Sequence, residues 1–237
     1  MKSSSFNSIS IVTEVNINAI VSSVTIGPNS PKLNDIIIKE QKSYVGAIKN
    51  LYPIVDSRRN RILIFTGYNN SLFLISNSPS GSSASVTGAV AAKFNTTIVD
   101  GFVNYPSELL DCSGNLLYPN SSDHFCLRIR NGREVSRAVE SIQHPVSGPC
   151  YVNSGDLYDF EDTADYAGLE KGIIPQIDVL WKFANHFGWP SPRSKEFLGN
   201  VKKCELLTFP QIKGAPDRPI REDIQQEILK LPVKWLE

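Results

Sequence analysis

Apolar residues fall along the chain in short blocks, and their spacing predicts alternating strands and helices. Residues 9–26, ISIVTEVNINAIVSSVTI, are rich in Ile and Val with partial alternation, and Gly27-Pro28 closes them. They read as one or two strands, or as a strand and a short turn. From 33 to about 51, apolar positions at Leu33, Ile36, Ile37, Tyr44, Val45, Ile48 and Leu51 suit a helix ended near Pro53. RILIFTGY at 61–68 is nearly continuous in apolar residues, the pattern of a strand buried on both faces. SSASVTGAVAAKF at 82–94 predicts a helix of small residues, and NTTIVDGFV at 95–103 a second buried strand.

Strand, helix and strand within this span predict a βαβ unit with two parallel strands. The expected fold class is therefore α/β, with a mostly parallel, doubly wound sheet and helices on both faces. Further along, 104–135 is rich in turn formers. Within it, HFCLRIRNG at 124–132 alternates like a strand that ends at Asn131-Gly132. REVSRAVESIQHP reads as a short helix stopping before Pro145, and GPCYVNSGDLYDF holds a further candidate strand. IPQIDVLWKFANHFGW is a strongly amphipathic helix with Gly188 as its stop signal, and REDIQQEILKL at 221–231 predicts a terminal helix. No repeat or clean linker divides the chain. Residues 1–237 are expected to form one domain, with an N-terminal strand segment at 1–32, a core at 33–188 and an extension at 189–237.

Composition narrows the function classes. The chain is 41% apolar and 20% charged, as in ordinary globular proteins, and its 24 basic and 24 acidic side chains cancel. That balance lacks the basic footprint of nucleic-acid binders, so no nucleic-acid partner is expected. Cys112, Cys126, Cys150 and Cys204 show no CxxC spacing, and a chain this long can stand on its core without disulfides. Reduced thiols and a cytoplasmic location follow as expectations. Three Asn-x-Ser/Thr sequons, at Asn69, Asn95 and Asn120, fit chance in so Asn- and Ser-rich a chain. Glu14, Asn16 and Asn18 interrupt the N-terminal apolar stretch, a poor signal-peptide core. No window approaches a membrane-spanning apolar run, so no membrane partner is expected.

The expected site lies where the first strand of the βαβ unit hands over to its helix, since open α/β sheets bind ligands at the carboxyl ends of their strands. Thr66 and Gly67 end that strand. Ser80, Gly81, Ser82 and Ser83 then lead into a helix whose N-terminus favours an anion. The loop is neither a Walker loop nor GxGxxG, so it names no cofactor. The competing reading is a turn whose serines cap the helix. GDLYDFEDTADYAG places Asp156, Asp159, Glu161, Asp162 and Asp165 together, but without EF-hand spacing, and a solvated acidic loop is the expectation. His124, His144 and His186 show no metal-ligand spacing and are read as structural; no metal site is assigned. No GxSxG and no cysteine-protease signature occurs.

Several segments resemble the D-glutamate cyclase family, whose members close D-glutamate to 5-oxo-D-proline. ILIFTG, SPSGSSASVTGAVAAKF and NTTIVDGF follow that family's plan of a strand ending in Thr-Gly, a Pro-x-Gly loop, an alanine-rich helix and a strand. GPCYVNSGD, with Tyr151 and Asn153, is similar to its Tyr-Asn element, and IPQIDVLWKFANHFG to a later helix. The resemblance spans about residues 33–188. It implies a carboxylated, amino-acid-like substrate and places Tyr151 and Asn153 among the binding residues. The family's Gly-Asp-Gly-Gly-Asn-Glu signature has no counterpart after residue 188, where SPRSKEFLGNVKK stands. RIRNG at 128–132 replaces an acidic Ile-Glu-Arg element. These departures imply a changed or lost activity.

Together these readings predict a small-molecule enzyme that binds a carboxylated or phosphorylated metabolite, of lyase or cyclase type. Asp100, Asp156 and Asp159 are the candidate acids and bases. The alternative is a catalytically inactive binding or interaction protein on the same scaffold, secreted or directed to a host.

Overall fold

The computed structural model describes residues 8–25, 31–51, 60–67, 69–77, 83–104, 123–144, 147–192 and 194–210. Their strands are β1 (Ser8–Thr13), β2 (Ile37–Glu40), β3 (Arg61–Gly67), β4 (Ser71–Ser76), β5 (Thr97–Asn104), β6 (Asp123–Asn131), β7 (Glu134–His144), β8 (Gly148–Gly155) and β9 (Val201–Thr208). The helices are α1 (Ile17–Val24), α2 (Tyr44–Leu51), α3 (Ala84–Phe94), α4 (Ile177–His186) and α5 (Lys195–Asn200). The strands form one sheet in the order β2-β9-β3-β4-β1-β5-β6-β7-β8, and every neighbouring pair is antiparallel.

This arrangement overturns the mostly parallel, doubly wound α/β fold expected from the sequence. The expectation fails at SLFLIS, 71–76, between Gly67 and Ser80, which forms β4. Asn70 takes a left-handed backbone, φ 57°, and folds the chain back so that β4 pairs with β3. β1 then lies between β4 and β5, antiparallel to both. β3 and β5 consequently run in opposite directions.

One expected helix also becomes a strand, and another does so in part. Within 33–51, Leu33–Asp35 is a 3-10 turn and Ile37–Glu40 is an edge strand paired with β9, leaving α2 alone as helix. Three consecutive β-branched residues, Ile36 to Ile38, explain the extended backbone. REVSRAVESIQH is β7, paired on both sides by β6 and β8. Gly132 opens the two-residue connection from β6 at φ 63°, a conformation that suits glycine at a tight hairpin. At the N-terminus the sequence pattern resolves into β1 and helix α1, which begins where the Asn16 side chain accepts from the Ala19 N–H. The expected terminal helix at 221–231 lies outside the described residues.

Strand alternation divides the core in two. Ile9, Ile11, Leu63, Phe65, Phe73 and Leu127 face α2, α4 and α5. Val12, Ile62, Ile64, Leu72, Leu74 and Ile98 face α1 and α3. In the first layer the Phe197 ring of α5 lies edge-on to Phe65 and Phe73 at 5.2 and 5.3 Å. Buried Trp189 donates its indole N–H to Ser71 Oγ at 2.6 Å. α4 passes close over β5 because Gly101 lacks a side chain: a Cβ there would lie 2.7 Å from Leu180 Cδ2. In the second layer, the part of the sheet face carried by β5, β6 and β7 is polar, and it positions the site described next.

Candidate functional site

The residues expected to share one pocket do not meet. Thr66 pairs with Leu72 at one end of the β3–β4 ladder, whereas α3 and Ser83 follow Ser76 at the other end, where Ile62 pairs with Ser76. Four residues of strand, roughly 13 Å, separate the two ends. Gly67 is filled in, since a Cβ on it would lie 2.7 Å from Asn69 Oδ1 and 2.8 Å from the Trp189 ring. Ser80, Gly81 and Ser82 lie outside the described residues. Ser83 does adjoin a cleft of about 270 Å³, whose polar lining comes from Asn60, Ser76, Asn77 and Ser85. Among the described residues of the expected site, only Ser83 lines this cleft; Thr66 and Gly67 do not.

The remaining candidates separate in a similar way. Asp156 and Asp159 are exposed and follow β8. Val99, Ile129, Arg137 and Gly155 form one row across β5 to β8. Three strand steps, roughly 14 Å, therefore separate Asp100's neighbourhood from Asp156, too far for the two carboxylates to act on one bond. Tyr151 is exposed on β8. Asn153 Oδ1 accepts a 2.7 Å bond from Arg137 Nη1, so its side chain serves a structural network.

The acidic cluster is dispersed into separate duties. Glu161 reaches inward to Arg137, accepting from Nε at 3.0 Å and Nη2 at 2.8 Å, and from the Tyr166 hydroxyl at 2.6 Å. The two side chains are 1% and 0% exposed. Burial alone would raise the Glu161 pKa, but the bonds from Arg137, the Tyr158 N–H and Tyr166 hold it below the usual carboxylate value. Asp162 accepts from the Ala164 N–H, and Asp165 pairs with Lys182. No divalent-cation cage arises from these acids.

Among the three candidate carboxyls, Asp100 is the buried one. Its place on β5 turns the side chain toward α3, where Thr87 Oγ1 donates to Oδ2 at 2.5 Å. Ser10, opposite Asp100 on β1, supplies a second hydroxyl. Oδ1 is buried and has no hydrogen-bond partner. The carboxyl is 7% exposed, and burial pushes its pKa up to about 6, even though Thr87, Ser10, Arg130 and Arg128 favour the charged form. A carboxyl so placed exchanges its proton near neutral pH.

Next to it, β6 presents His124, Cys126, Arg128 and Arg130 on the same face, because alternate strand residues share a face. The register sets Arg128 opposite Asp100 on one side, and Cys126 opposite Glu140 of β7 on the other. Glu140 Oε1 lies 2.9 Å from His124 Nε2, and Oε2 accepts from Arg128 Nη2 at 2.5 Å. Burial alone would raise the Glu140 pKa, but Arg128 and His124 hold it below its ordinary value. Burial lowers the His124 pKa, leaving a neutral imidazole at neutral pH. Burial also pushes the Cys126 thiol up to about 12, so it is not a ready nucleophile. The face thus joins a near-neutral acid, two guanidinium groups and an imidazole–carboxylate pair.

Sequence reasoning named Asp100 but missed Cys126, Arg128, Arg130 and Glu140, and set His124 aside as structural. The alternation in HFCLRIR carried the signal: its polar residues recur at every second position. Glu140 had no such signal while β7 was read as a helix. No family model, curated protein or solved structure matches the chain. No helix among the described residues is long and apolar enough to cross a membrane.

Proposed function

We propose that the protein is a small-molecule enzyme that binds a carboxylated or phosphorylated metabolite over the β5–β6–β7 face. Asp100 is its general acid or base, and Arg128 and Arg130 hold the anion. The observation that carries this reading is the buried Asp100 carboxyl, with one oxygen unpartnered and Arg128 directly across the ladder. Arg128 gives one amino group to Glu140 and keeps further N–H donors for a ligand, in the planar fork that suits carboxylate and phosphate. A lyase or cyclase needs such a proton carrier beside a carboxylate clamp, and an amino-acid-like substrate is what the resemblance to the D-glutamate cyclases implies. The free thiols of Cys126, Cys150 and Cys204 support a cytoplasmic setting.

Calorimetric titration with glutamate and with small organic phosphates tests the clamp. Arg128→Gln is expected to weaken whichever anion binds by about tenfold or more. Asp100→Asn is expected to abolish turnover while leaving that binding intact. Equal binding of these anions by wild type and Arg128→Gln would move the site elsewhere.

A second reading, a noncatalytic interaction protein, is favoured by the sheet edges. β2 exposes Ile37 and Ile38 at 51% and 41%, and β8 exposes Tyr151 and Val152 at 52% and 46%. Partly apolar edges that are unpaired among the described residues can accept a partner's strand. Turnover lost in Asp100→Asn would decide for the enzyme.

A further inference from the structure

The same face brings together a set of donor atoms that proton transfer and anion binding leave unexplained. His124, Cys126 and Glu140 each offer one ligand atom, and the three atoms lie within 4.8 Å of one another. Among the described residues this is the one grouping of three or more His, Cys, Asp or Glu side chains so placed. We propose that His124, Cys126 and Glu140 bind a single borderline-soft divalent cation, Zn²⁺, with the fourth coordination position open to water or an anionic ligand. The proposal stands apart from Asp100's role and does not depend on it.

The chemistry of the donors selects the ion. A thiolate with an imidazole favours zinc over Mg²⁺ or Ca²⁺, which take oxygen ligands. Tetrahedral zinc with bonds of about 2.0–2.3 Å separates its donor atoms by roughly 3.3–3.8 Å. The 2.9 Å between His124 Nε2 and Glu140 Oε1 must open slightly, and the wider separations in the set, up to 4.8 Å, must close, as side-chain rotation allows.

The surroundings fit as well. Arg128 holds Glu140 Oε2 and leaves Oε1 for the metal, and the Phe102 ring packs edge-on to the imidazole at 4.8 Å, which fixes its orientation. His124 and Glu140 are 25% and 20% exposed, so an ion can enter. The charged and titratable groups facing the site are Asp100 on β5, Arg128 and Arg130 on β6, and Glu140 itself on β7. Loading forms the Sγ–Zn bond and releases the Cys126 thiol proton to solvent. The neutral imidazole shifts its proton to Nδ1, so that the Nε2 lone pair meets the metal, and Glu140 binds as a carboxylate. Because a proton leaves, affinity rises with pH.

The full chain, stripped with EDTA and dialysed, is titrated with Co²⁺ as a spectroscopic probe. One equivalent is expected to give a near-ultraviolet thiolate-to-cobalt band together with the strong visible absorption of tetrahedral cobalt, both removed by Zn²⁺. Cys126→Ser should lose the thiolate band. His124→Gln and Glu140→Gln should each weaken binding by more than the ~10-fold that follows loss of an outer-shell partner. Cys150→Ser, altered at an exposed thiol, should match wild type. Apo-protein melts establish that each variant folds. Should Cys126→Ser fail to fold, the weakened Co²⁺ affinity of His124→Gln, altered at a partly exposed position, still tests the site. Absence of the thiolate band in the wild type at saturating Co²⁺, or an unchanged Co²⁺ affinity in His124→Gln, would overturn the proposal.

Discussion

Replacing Asp100 by Asn gives a stability difference whose pH dependence follows from one group. A carboxyl whose pKa is higher in the folded than in the unfolded chain binds its proton more tightly when folded. Its contribution to stability is therefore full below the unfolded value of 3.8 and is lost as pH rises through about 6. The displacement of about 2 pH units corresponds to about 3 kcal/mol. Burial is its largest cause, and the hydroxyls of Thr87 and Ser10 with the two arginines offset only part of it.

Asparagine keeps the shape and cannot ionise. Subtracting the wild-type unfolding free energy from that of Asp100→Asn cancels every other titrating group. The difference should rise in favour of the variant by about 2.4 kcal/mol between pH 4 and pH 7.5, with most of the change between pH 4 and 6. With a urea m-value of about 3 kcal/mol per molar, that is a relative midpoint displacement of about 0.8 M. EDTA throughout keeps metal binding at the neighbouring side chains out of the comparison. A difference that stays flat across this range would show that Asp100 is solvated or newly partnered, and the proton-carrier role would fall with it.

Other substitutions test the frame that holds the site. Glu161→Gln leaves the Arg137 guanidinium buried without its countercharge, and urea unfolding at pH 7 should show a loss of about 3–5 kcal/mol; a loss under about 1 kcal/mol would refute the pairing. Joint replacement by Arg137→Met and Glu161→Leu should recover much of that loss, measured in the same assay. Gly101→Ala presses a methyl group against Leu180 and the Cys126 carbonyl oxygen, and should cost about 1–3 kcal/mol, seen as a lowered melting temperature.

Those parts of the fold written in local periodicity were legible, and those decided by distant pairing were not. HFCLRIR alternates and is β6; IDVLWKFANH is amphipathic and is α4. By contrast, EVSRAVESIQH carries apolar residues at spacings that also satisfy a helix. Two flanking strands that accept its backbone hydrogen bonds make it β7. VKKCELLT, which reads as part of a Pro-punctuated tail, becomes β9 by pairing with β3, more than 130 residues earlier in the chain. The site divides along the same line. Asp100 was visible only as one of three carboxylates left as proton carriers once the histidines were discounted. Its neighbours Arg128, Cys126 and Glu140 depend on the register of three strands, which no single segment specifies.

The insertion of β9 between β2 and β3 bears on how the protein is made. On the ribosome, β2 has no neighbour and β3 keeps a bare edge until residue 208 has left the exit tunnel. Chains stopped before Val201 would present the apolar backbone of Ile62 to Phe65 as an open template for like chains. They should collect in aggregates, while chains that reach beyond Thr208 stay dispersed.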